Sequence, residues 1–178
     1  MKKKLLILIV AFNHEKFIQK VLNRIDKKLN DIYEVEILIN DDSSSDKTVQ
    51  LTKEYIEQSD KKFRYTVLSN PVNQGYGGNQ KIGFLYAIKN NFDYVALVHG
   101  DGQYAPEYLE RLLKPFSNEN VDAVFGSRMI NKNGAIKGGM PLYKFIGNKI
   151  FNFYQNKIFN KNLTEFHSGY RIYNVESL

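Results

Sequence analysis

Four short apolar segments, each ending in a polar or glycine-rich loop, are the feature that most restricts the fold of this chain. They run from Leu5 to Phe12, Val35 to Asn40, Phe63 to Leu68 and Tyr94 to Val98. Apolar residues at helical spacing follow each segment, and a fifth apolar segment lies at Ala123 to Phe125. This alternation predicts an α/β domain with a mainly parallel sheet and helices on both faces. With 178 residues the chain is long enough to form one such domain with a core.

The predicted helices follow from apolar periodicity and from capping residues. Asn13 is the expected N-cap of a first helix, whose apolar positions are Phe17, Val21, Leu22, Ile25 and Leu29. Asp46 is expected to cap the second helix, and the third carries Ile82, Leu85 and Ile88. Pro106 fits the first turn of the fourth. After a polar loop at residues 132–139, Pro141 to Phe159 predicts a further helix. Its aromatic side chains either join the core or contact a membrane surface peripherally.

The four loops after the strands are expected to share one edge of the sheet. In open α/β sheets this carboxyl-terminal edge is where ligands bind. After the fourth strand, Asp101 and Gln103 stand two residues apart beside glycines, so both side-chain oxygens can turn toward one hard cation. Mg²⁺ or Mn²⁺, held by few protein ligands and by substrate phosphates, suits such a site. A polar turn that caps the next helix explains this turn equally well when it is taken alone.

Composition excludes several classes of protein. The chain has no cysteine, which rules out disulfides and thiolate metal sites. No run of ~18 apolar residues predicts a membrane span, and the apolar run that follows Lys4 is interpreted as a strand rather than a signal peptide. We therefore expect a cytoplasmic protein, at most located at the inner face of the membrane. The net charge of +6 suits nucleic acid, anionic headgroups or a phosphorylated substrate. The lysines are spread along the chain without an arginine-rich stripe, and no basic-aromatic platform or recognition helix stands out, so no nucleic-acid partner is expected.

Three motifs in this order carry a resemblance to a known family. They are Asp41-Asp42-Ser43-Ser44-Ser45-Asp46 after the second strand, Asp101-Gly102-Gln103 after the fourth, and Ser168-Gly169-Tyr170-Arg171 near the end. Together they resemble the family 2 glycosyltransferases of the GT-A fold, and most of all the branch of polyprenyl-phosphate (dolichol-phosphate-like) sugar transferases. The similarity runs from Leu5 to Tyr173. It implies one catalytic domain over residues 1–178, shortened at the C-terminus relative to many members.

The resemblance implies that the first three loops bind a UDP- or GDP-sugar donor. The loop from Ala11 to Glu15 is similar to the family's Pro-Tyr-Asn-Glu-Glu, with Ala in place of Pro and Phe in place of Tyr. Phe12 then stacks on the base, unless it simply ends a core strand. Asp41 or Asp42 would accept hydrogen bonds from base or ribose, unless the loop only caps a helix. The implied nucleotide-binding residues are Phe12, Asn13, Glu15, Asp41, Asp42, Asn73, Gly75 and Gly77.

The metal loop departs from the family pattern of Asp-x-Asp. His99 stands where the first Asp is expected, while Asp101 matches the second and Gln103 matches a further polar position. The implied ligands are Asp101, Gln103 and His99. Imidazole suits Mn²⁺ better than Mg²⁺, and His99 is left open as a ligand, a phosphate contact or a strand-end residue.

The acceptor side is inferred from the last polar cluster. Glu165 and His167 are candidate bases. Together with Asp101 they are the implied catalytic residues. The phosphate or acceptor contacts implied are Arg128, Ser168 and Arg171. The implied reaction is inverting transfer of a sugar to a lipid phosphate, such as a polyprenyl phosphate, or to a saccharide, as in cell-envelope polysaccharide biosynthesis.

The sequence leaves alternatives for the function and does not define several details. The alternative function is a non-catalytic or incomplete nucleotide-sugar-binding module. A nucleotidyltransferase is disfavoured because Ala11-Phe12-Asn13 offers no glycine-rich phosphate loop after the first strand. The sugar, the base and the oligomeric state are not defined by the residues.

Overall fold

The computed structural model describes residues 2–60, 62–118, 120–130, 134–137 and 140–178. Within them the strands are β1 (Lys4–Ala11), β2 (Glu34–Asp41), β3 (Arg64–Ser69), β4 (Tyr94–His99), β5 (Ala123–Phe125) and β6 (Arg171–Asn174). They form one sheet with the strand order β3-β2-β1-β4-β6-β5. β1 pairs in parallel with β2 and β4, β2 pairs in parallel with β3, and β6 runs antiparallel to β4. The predicted mainly parallel α/β sheet is therefore confirmed.

Helices connect these strands. They are α1 (Ile18–Asn23), α2 (Leu29–Ile32), α3 (Thr48–Gln58), α4 (Gly75–Lys89), α5 (Leu109–Leu113), α6 (Pro115–Asn118), α7 (Gly134–Lys137) and α8 (Leu142–Phe159). Short 3₁₀ turns lie at Pro106–Tyr108 and Val175–Ser177. Among the helices of the described ranges, none combines the length and the apolarity that crossing a membrane requires.

The core is built on β1, which is buried on both sides. Leu6 and Leu8 join a cluster with Ala87 of α4, while Ile7 and Ile9, which alternate with them, are equally inaccessible. Because successive side chains of a strand point to opposite faces, both faces of β1 are covered. This matches the near-continuous apolar sequence of the central parallel strands.

The chain forms two compact units. We call Met1–Val124 together with Arg171–Leu178 the sheet unit, and Phe125–Tyr170 the helix unit. The single-domain organisation expected from the sequence stays a prediction. Of the polar loop predicted at 132–139, residues 132, 133, 138 and 139 lie outside the described residues, and 134–137 form α7.

Several local predictions are wrong. The first predicted helix is broken into α1 and α2, and α1 begins after Phe17 rather than at Asn13. The backbone N–H groups of Phe17 and Ile18 both bond to the His14 carbonyl, so a turn separates Asn13 from the helix. The N-cap of α3 is Lys47 rather than the predicted Asp46. Asp46 lies one residue earlier, and its carboxylate accepts the Thr48 N–H in the first turn of the helix.

The third helix also differs from its prediction. It begins at Gly75, so the segment expected as a glycine-rich loop forms the first turn of α4. Its buried positions are Asn79, Gly83 and Ala87, whereas the expected apolar residues Leu85 and Ile88 are exposed. The sixth strand, β6, was not predicted.

Candidate functional site

The site is built at the carboxyl ends of the four parallel strands. Hydrogen bonds of the parallel ladder continue one residue into each loop: Asp42 N–H bonds to the Ala11 carbonyl, Asn70 N–H to the Asp41 carbonyl, and Gly100 N–H to the Val10 carbonyl, at 2.8 to 3.0 Å. The predicted convergence of these loops is therefore present in the sheet unit. Each loop starts from a fixed position relative to its neighbours.

The first two loops are tied to each other through side chains. Asn13 donates its backbone N–H to Ser44 Oγ, and Asn13 Oδ1 accepts the Ser45 N–H, at 2.8 and 2.9 Å. Glu15 N–H bonds to Asp46 Oδ2 at 3.0 Å. Asn13 adopts a positive φ of 55°, a conformation that Asn tolerates better than most residues. Asn13 and Glu15, two of the implied nucleotide contacts, therefore hold the first loop to the second.

Phe12 stands apart from that network. Its side chain is 45% exposed although it directly follows a buried strand. The alternative that Phe12 ends the strand as a core residue does not fit this exposure. An exposed aromatic ring at a ligand-binding edge is available for stacking.

Asp41 is buried and fully engaged within the protein. Ser44 donates both Oγ–H (2.5 Å) and N–H (3.0 Å) to its carboxylate, and Ser69 Oγ donates at 3.2 Å. Asp41 therefore fastens the second loop to the end of β3. Its two oxygens are occupied by protein donors, which leaves Asp42 as the better placed of the pair for a ligand.

Asp42 is also buried but keeps one oxygen available. Its Oδ1 accepts Asn70 Nδ2 and the Gln74 N–H, each at 2.8 Å. Its Oδ2 has no hydrogen bond among the residues that the structure describes. A carboxylate with one anchored and one unused oxygen is suited to accept a donor from a ligand.

The start of α4 is held by a reciprocal amide pair. Asn40 Nδ2 bonds to the Asn79 carbonyl and Asn79 Nδ2 to the Asn40 carbonyl, both at 2.9 Å. Asn73 Oδ1 accepts the Gly75 N–H at 2.8 Å. Asn73, Gly75 and Gly77 are exposed, and open space surrounds Gly77 where a side chain would project. Backbone approach by a ligand is therefore unobstructed there.

The turn that carries Asp101 is clamped by Arg24. Asp101 Oδ1 accepts the Gln103 N–H at 3.0 Å, and Gly102 between them has a φ of +74°, which favours glycine. Arg24 donates Nη1–H to the Gly102 carbonyl at 3.3 Å and forms a forked pair with Glu107 at 3.0 and 3.1 Å. Sequence analysis missed Arg24, which no motif marks because it lies about eighty residues from the turn.

His99 is engaged by tyrosines. Its Nε2 lies 3.0 Å from Tyr76 Oη, and its ring contacts those of Tyr76 and Tyr104 at centroid distances of 5.1 Å. Burial raises the pKa of Tyr76, with Arg171 opposing and Asp101 adding to the effect, so Tyr76 remains a neutral phenol that can pair with the imidazole. Ligation of a metal through Nε2 would require this contact to break. The three roles left open for His99 remain predictions.

His14 is a second histidine at this edge that sequence analysis did not select. Its Nδ1 is buried without a hydrogen-bond partner among the described residues, and a β-carbon at Gly100 would lie 2.7 Å from that atom. Burial lowers the pKa of His14, while the charges of Asp101, Asp46 and Asp41 oppose that shift. His14 is therefore a neutral imidazole near physiological pH, behind the Asp101 turn.

The donor set fits a cation shared with substrate rather than one held by protein alone. In the described ranges, no group of three or more His, Cys, Asp or Glu residues could hold a metal ion. Asp101 Oδ2 carries no hydrogen bond within those same ranges, and Gln103 is exposed beside it. One free carboxylate oxygen and one amide agree with a Mg²⁺ or Mn²⁺ that takes its other ligands from phosphates and water.

Arg171 lies at the same edge of the sheet unit as Asp101. It starts the antiparallel strand β6, where it pairs in register with Leu97, two residues before the end of β4. Its Nη1 donates to Tyr173 Oη at 3.3 Å, and its charge acts on Tyr76. The chain thus brings a guanidinium to the edge that carries the metal-loop carboxylate.

The other acceptor-side candidates belong to the helix unit. Glu165, whose side chain is fully buried, accepts the Arg128 N–H at 2.8 Å and Arg128 Nη2–H at 2.7 Å. Ser168 is buried and accepts the Tyr170 N–H at 3.2 Å. His167 is exposed, with its ring 6.3 Å from that of Phe151. In this arrangement Glu165 is engaged as an ion-pair partner of Arg128, which disfavours the role of base. The catalytic roles stay predictions.

A cavity of about 380 Å³ lies at the opposite edge of the sheet unit. It is lined by Lys3, Asn91, Asp93, Asn174 and Glu176, near the amino ends of β1 and β4. None of the predicted site residues lines it. Because α/β ligand sites form at carboxyl ends of strands, we assign the function to the loop edge.

Comparison with known proteins agrees with this geometry. The sequence profile described as Glycosyl transferase family 2 matches residues 6–178. Since that match covers nearly the whole chain, the protein belongs to glycosyltransferase family 2.

Two relatives are similar over most of this chain. It is 30% identical over 188 residues to the UDP-N-acetylglucosamine–dolichyl-phosphate N-acetylglucosaminyltransferase of Methanococcus voltae, covering 100% of this chain and 72% of that protein. It is 26% identical over 174 residues to the polyprenol monophosphomannose synthase of Mycolicibacterium smegmatis, covering 97% and 62%. Both names include a polyprenol-type phosphate, so the predicted resemblance to that branch is confirmed.

A solved structure shows the same fold. The glucosyl-3-phosphoglycerate synthase of Mycobacterium tuberculosis, in complex with Mn²⁺, UDP-glucose and glycerol 3-phosphate, superposes with a TM-score of 0.67 at 14% identity. The superposition covers 98% of this chain and 57% of that one. The GT-A fold expected from the motifs is therefore confirmed. The chain spans 57% to 72% of the lengths of these three proteins.

Proposed function

We propose that this protein transfers a sugar, with inversion, from a UDP- or GDP-sugar to a polyprenyl-type lipid phosphate. The observation that carries the proposal is the Asp101 carboxylate, which has one oxygen fixed by its own turn and one unused at the edge where three other loops meet. A nucleoside diphosphate requires such a point for its cation. The membership of family 2 supplies the class of reaction.

The nucleoside half of the donor is assigned to the first three loops. Phe12 offers an exposed ring for the base, and the unused oxygen of Asp42 offers an acceptor for a base N–H or a ribose hydroxyl. Asp41 holds the loop through Ser44 and is a positioning residue rather than a contact. This refines the expectation that either aspartate contacts the nucleotide.

The diphosphate is assigned to Asp101, Gln103 and the start of α4. A divalent cation bound at Asp101 and Gln103 would neutralise charge on the leaving diphosphate. The backbone N–H groups of the exposed first turn of α4 lie at the N-terminus of that helix, and a helix N-terminus favours anions. Arg24 holds the turn that carries Asp101 through its bond to the Gly102 carbonyl.

The transfer step is a displacement at the anomeric carbon. An acceptor oxygen forms a bond to C1 while the bond from C1 to the diphosphate oxygen breaks, and the electron pair leaves with the nucleoside diphosphate. An ionised lipid phosphate needs no base for this step, which agrees with a Glu165 already paired with Arg128. Arg171 is the candidate cation for the acceptor phosphate because Arg holds phosphate through forked hydrogen bonds.

A thermal-shift panel tests the donor half of the proposal. UDP-, GDP- and dTDP-sugars are compared with and without Mn²⁺ or Mg²⁺, since a ligand bound only to the folded state must raise the melting temperature. One base is expected to stand out, with a shift that depends on the cation. Asp101→Asn should remove the cation-dependent part and leave the unliganded melting temperature unchanged, whereas the exposed control Asp31→Asn should behave as wild type.

A transfer assay tests the acceptor half. With the preferred radiolabelled donor, label should move to polyprenyl phosphate in detergent and not to a soluble oligosaccharide. Arg171→Ala should reduce transfer more than Glu165→Gln if the acceptor is a phosphate. If labelled donor binds but no acceptor receives sugar, the protein acts as a nucleotide-sugar-binding module. A larger loss for Glu165→Gln at unchanged donor affinity would instead identify Glu165 as a base acting on a hydroxyl acceptor.

A further inference from the structure

His99 ends β4 on the face of the sheet that α4 covers. Two residues earlier on the same strand, Leu97 belongs to the buried cluster that contains Ala87 of α4. Because side chains two residues apart in a strand lie on the same face, His99 points toward α4 as well. Its pairing in register with Val10 of β1, and the bond from the Gly100 N–H to the Val10 carbonyl at 3.0 Å, fix the backbone at this point. The sheet therefore presents His99 to the start of α4.

Two tyrosines contact the His99 imidazole. Tyr76 Oη lies 3.0 Å from His99 Nε2, and the two ring centroids are 5.1 Å apart with their planes tilted by 50°. Tyr104, which is buried, contacts the imidazole edge-on at the same centroid distance, with an angle of 73° between the ring planes. Tyr104 follows Gln103 in the chain, whereas Tyr76 belongs to α4. The imidazole is therefore held both by its own loop and by α4.

The backbone that carries Tyr76 is itself fixed in place. The N–H of Gly75 bonds to Asn73 Oδ1 at 2.8 Å, which fixes the residue directly before Tyr76. Three residues after Tyr76, Asn79 exchanges two amide hydrogen bonds of 2.9 Å with Asn40 at the end of β2. The Tyr76 hydroxyl therefore approaches the imidazole from a helical turn that is bonded to the sheet.

The three side chains predicted to bind the cation differ in how the protein already uses them. Asp101 accepts the Gln103 N–H through Oδ1, and its second oxygen has no hydrogen bond among the residues that the structure describes. The Gln103 side chain is exposed. His99 differs from both, because its Nε2 already faces the Tyr76 hydroxyl. The turn therefore offers a cation oxygen donors, while the nitrogen donor is engaged within the protein.

We propose that Tyr76 sets the cation preference of the Asp101 turn by keeping the His99 imidazole out of the ligand set. Tyr76 is then a positioning residue that acts through His99. The inference rests on the function proposed above, because it concerns the cation that accompanies the donor diphosphate. Oxygen ligands suit Mg²⁺ and Mn²⁺, whereas an imidazole ligand favours later transition metals such as Co²⁺ over Mg²⁺. The site is therefore expected to keep the preference of an oxygen-only site, although histidine stands at one of its predicted ligand positions.

Calorimetry of UDP and GDP binding with Mg²⁺ or Co²⁺ tests this inference. The quantity compared is the ratio of the Co²⁺-supported to the Mg²⁺-supported affinity, because changes in the fold affect both affinities and cancel. Tyr76→Phe removes only the hydroxyl and should raise this ratio about tenfold. Tyr76→Leu, which removes ring and hydroxyl together, should raise it as well. Tyr108→Phe removes the hydroxyl of an exposed tyrosine in the sheet unit and is the matched control, with no change expected.

His99→Gln shows whether the gain passes through the imidazole. His99→Gln alone should leave the affinity ratio unchanged, because the imidazole is not a ligand while Tyr76 is present. In the Tyr76→Phe background, His99→Gln should abolish the gain. The visible absorption of bound Co²⁺ gives a second readout, since it depends on the type of ligand atom. Tyr76→Phe should shift these bands relative to wild type, and the added His99→Gln should reverse the shift.

Three outcomes would overturn the inference. A lower ratio for His99→Gln alone would show that the imidazole binds the cation in wild type. An unchanged ratio in both Tyr76→Phe and Tyr76→Leu would show that Tyr76 does not govern the imidazole. If neither cation supports binding of UDP or GDP to wild type, the proposed function fails and this inference fails with it. The first two outcomes leave the proposed function intact, because cation-dependent binding is still observed. Melting temperatures of the variants verify that each remains folded.

Discussion

The sheet unit and the helix unit differ in how their polar and apolar side chains are used. At the carboxyl edge of the sheet unit, buried polar groups bond mainly to each other, as Asp41 does with Ser44 and Ser69. In the helix unit, apolar side chains of α8 are exposed, and the sequence of residues 125–170 contains six lysines but a single acidic residue, Glu165. A rigid polar edge is suited to a small ligand of defined shape, whereas an apolar and basic face is suited to an extended surface. The two units therefore present chemically different surfaces.

The largest effect is expected where the sheet unit depends on a single buried carboxylate. Asp41→Ala removes the acceptor of three hydrogen bonds and leaves Ser44 N–H and the Ser69 hydroxyl without their partner. We expect the free energy of unfolding to fall by about 3 kcal/mol. Urea denaturation measures this, with the exposed Asp31→Ala as control, expected within ~0.5 kcal/mol of wild type. A loss below about 1 kcal/mol would contradict the view that Asp41 holds the edge together.

A smaller loss is expected in the helix unit from Glu165→Gln. The change removes the negative charge that faces the Arg128 guanidinium, but Arg128 is 34% exposed and water compensates in part. The free energy of unfolding should fall by about 2 kcal/mol. A double-mutant cycle with Arg128→Gln should recover a coupling energy of about 1 kcal/mol or more. Additive effects of the two changes would show that the pair does not stabilise the unit.

The Arg24 clamp should affect ligand binding more than stability. Arg24 and Glu107 are both partly exposed, so the pair contributes at most about 1 kcal/mol to folding. Arg24→Ala should weaken cation-dependent nucleotide binding about fivefold, because the turn that carries Asp101 loses its support. Arg24→Lys should fall in between, since it keeps the charge and loses the fork. Lys27→Ala breaks the exposed pair with Asp60 and serves as control; an equal loss of affinity there would refute the clamp.

The smallest effect concerns the pH dependence of stability. Burial lowers the pKa of His14 in the folded chain, against the opposing charges of Asp101, Asp46 and Asp41. The unfolded chain binds this proton near the ordinary value of about 6.5. The contribution of neutral His14 to stability is therefore present above that pH and is lost as the pH falls toward the lower folded pKa.

Urea denaturation between about pH 8 and 5 measures this contribution. His14→Gln should show a shallower decrease in the free energy of unfolding as the pH falls than wild type. His167→Gln, which removes an exposed histidine of the helix unit, is the matched control. Parallel curves for wild type and His14→Gln would mean that His14 does not couple folding to proton binding.

The sequence predicted the sheet far better than it predicted the contacts at its edge. Apolar runs such as Leu5 to Phe12 and Tyr94 to Val98 mark buried parallel strands because they are short, nearly continuous and followed by polar or glycine-rich turns. β6 was missed because Arg171-Ile172-Tyr173-Asn174 is short and lies within a polar motif. The start of α4 was missed because glycines predict a loop, whereas the Asn40–Asn79 amide pair holds that turn as helix.

At the site, residue types were predictable and partners were not. Asp101 lies at the loop edge, as its position between a strand and a helix predicted, and its role toward a metal or a substrate stays a prediction. The bond from Ser69 to Asp41 and the bond from Arg24 to Gly102 depend on packing between segments that are distant in sequence. The scarcity of acidic residues in residues 125–170 is visible in the sequence, but assigning it to one compact unit required the boundary of the helix unit.

The cross-bonded first and second loops have a consequence for how donor preference can change. Asn13 and Glu15 on one side and Ser44, Ser45 and Asp46 on the other exchange backbone and side-chain hydrogen bonds, so neither loop keeps its shape alone. A chimaera that imports one of them from a relative with another base preference would leave these groups mismatched. The two loops therefore have to be exchanged together. Only a chimaera that takes both loops from the same relative is expected to take on that relative's base preference.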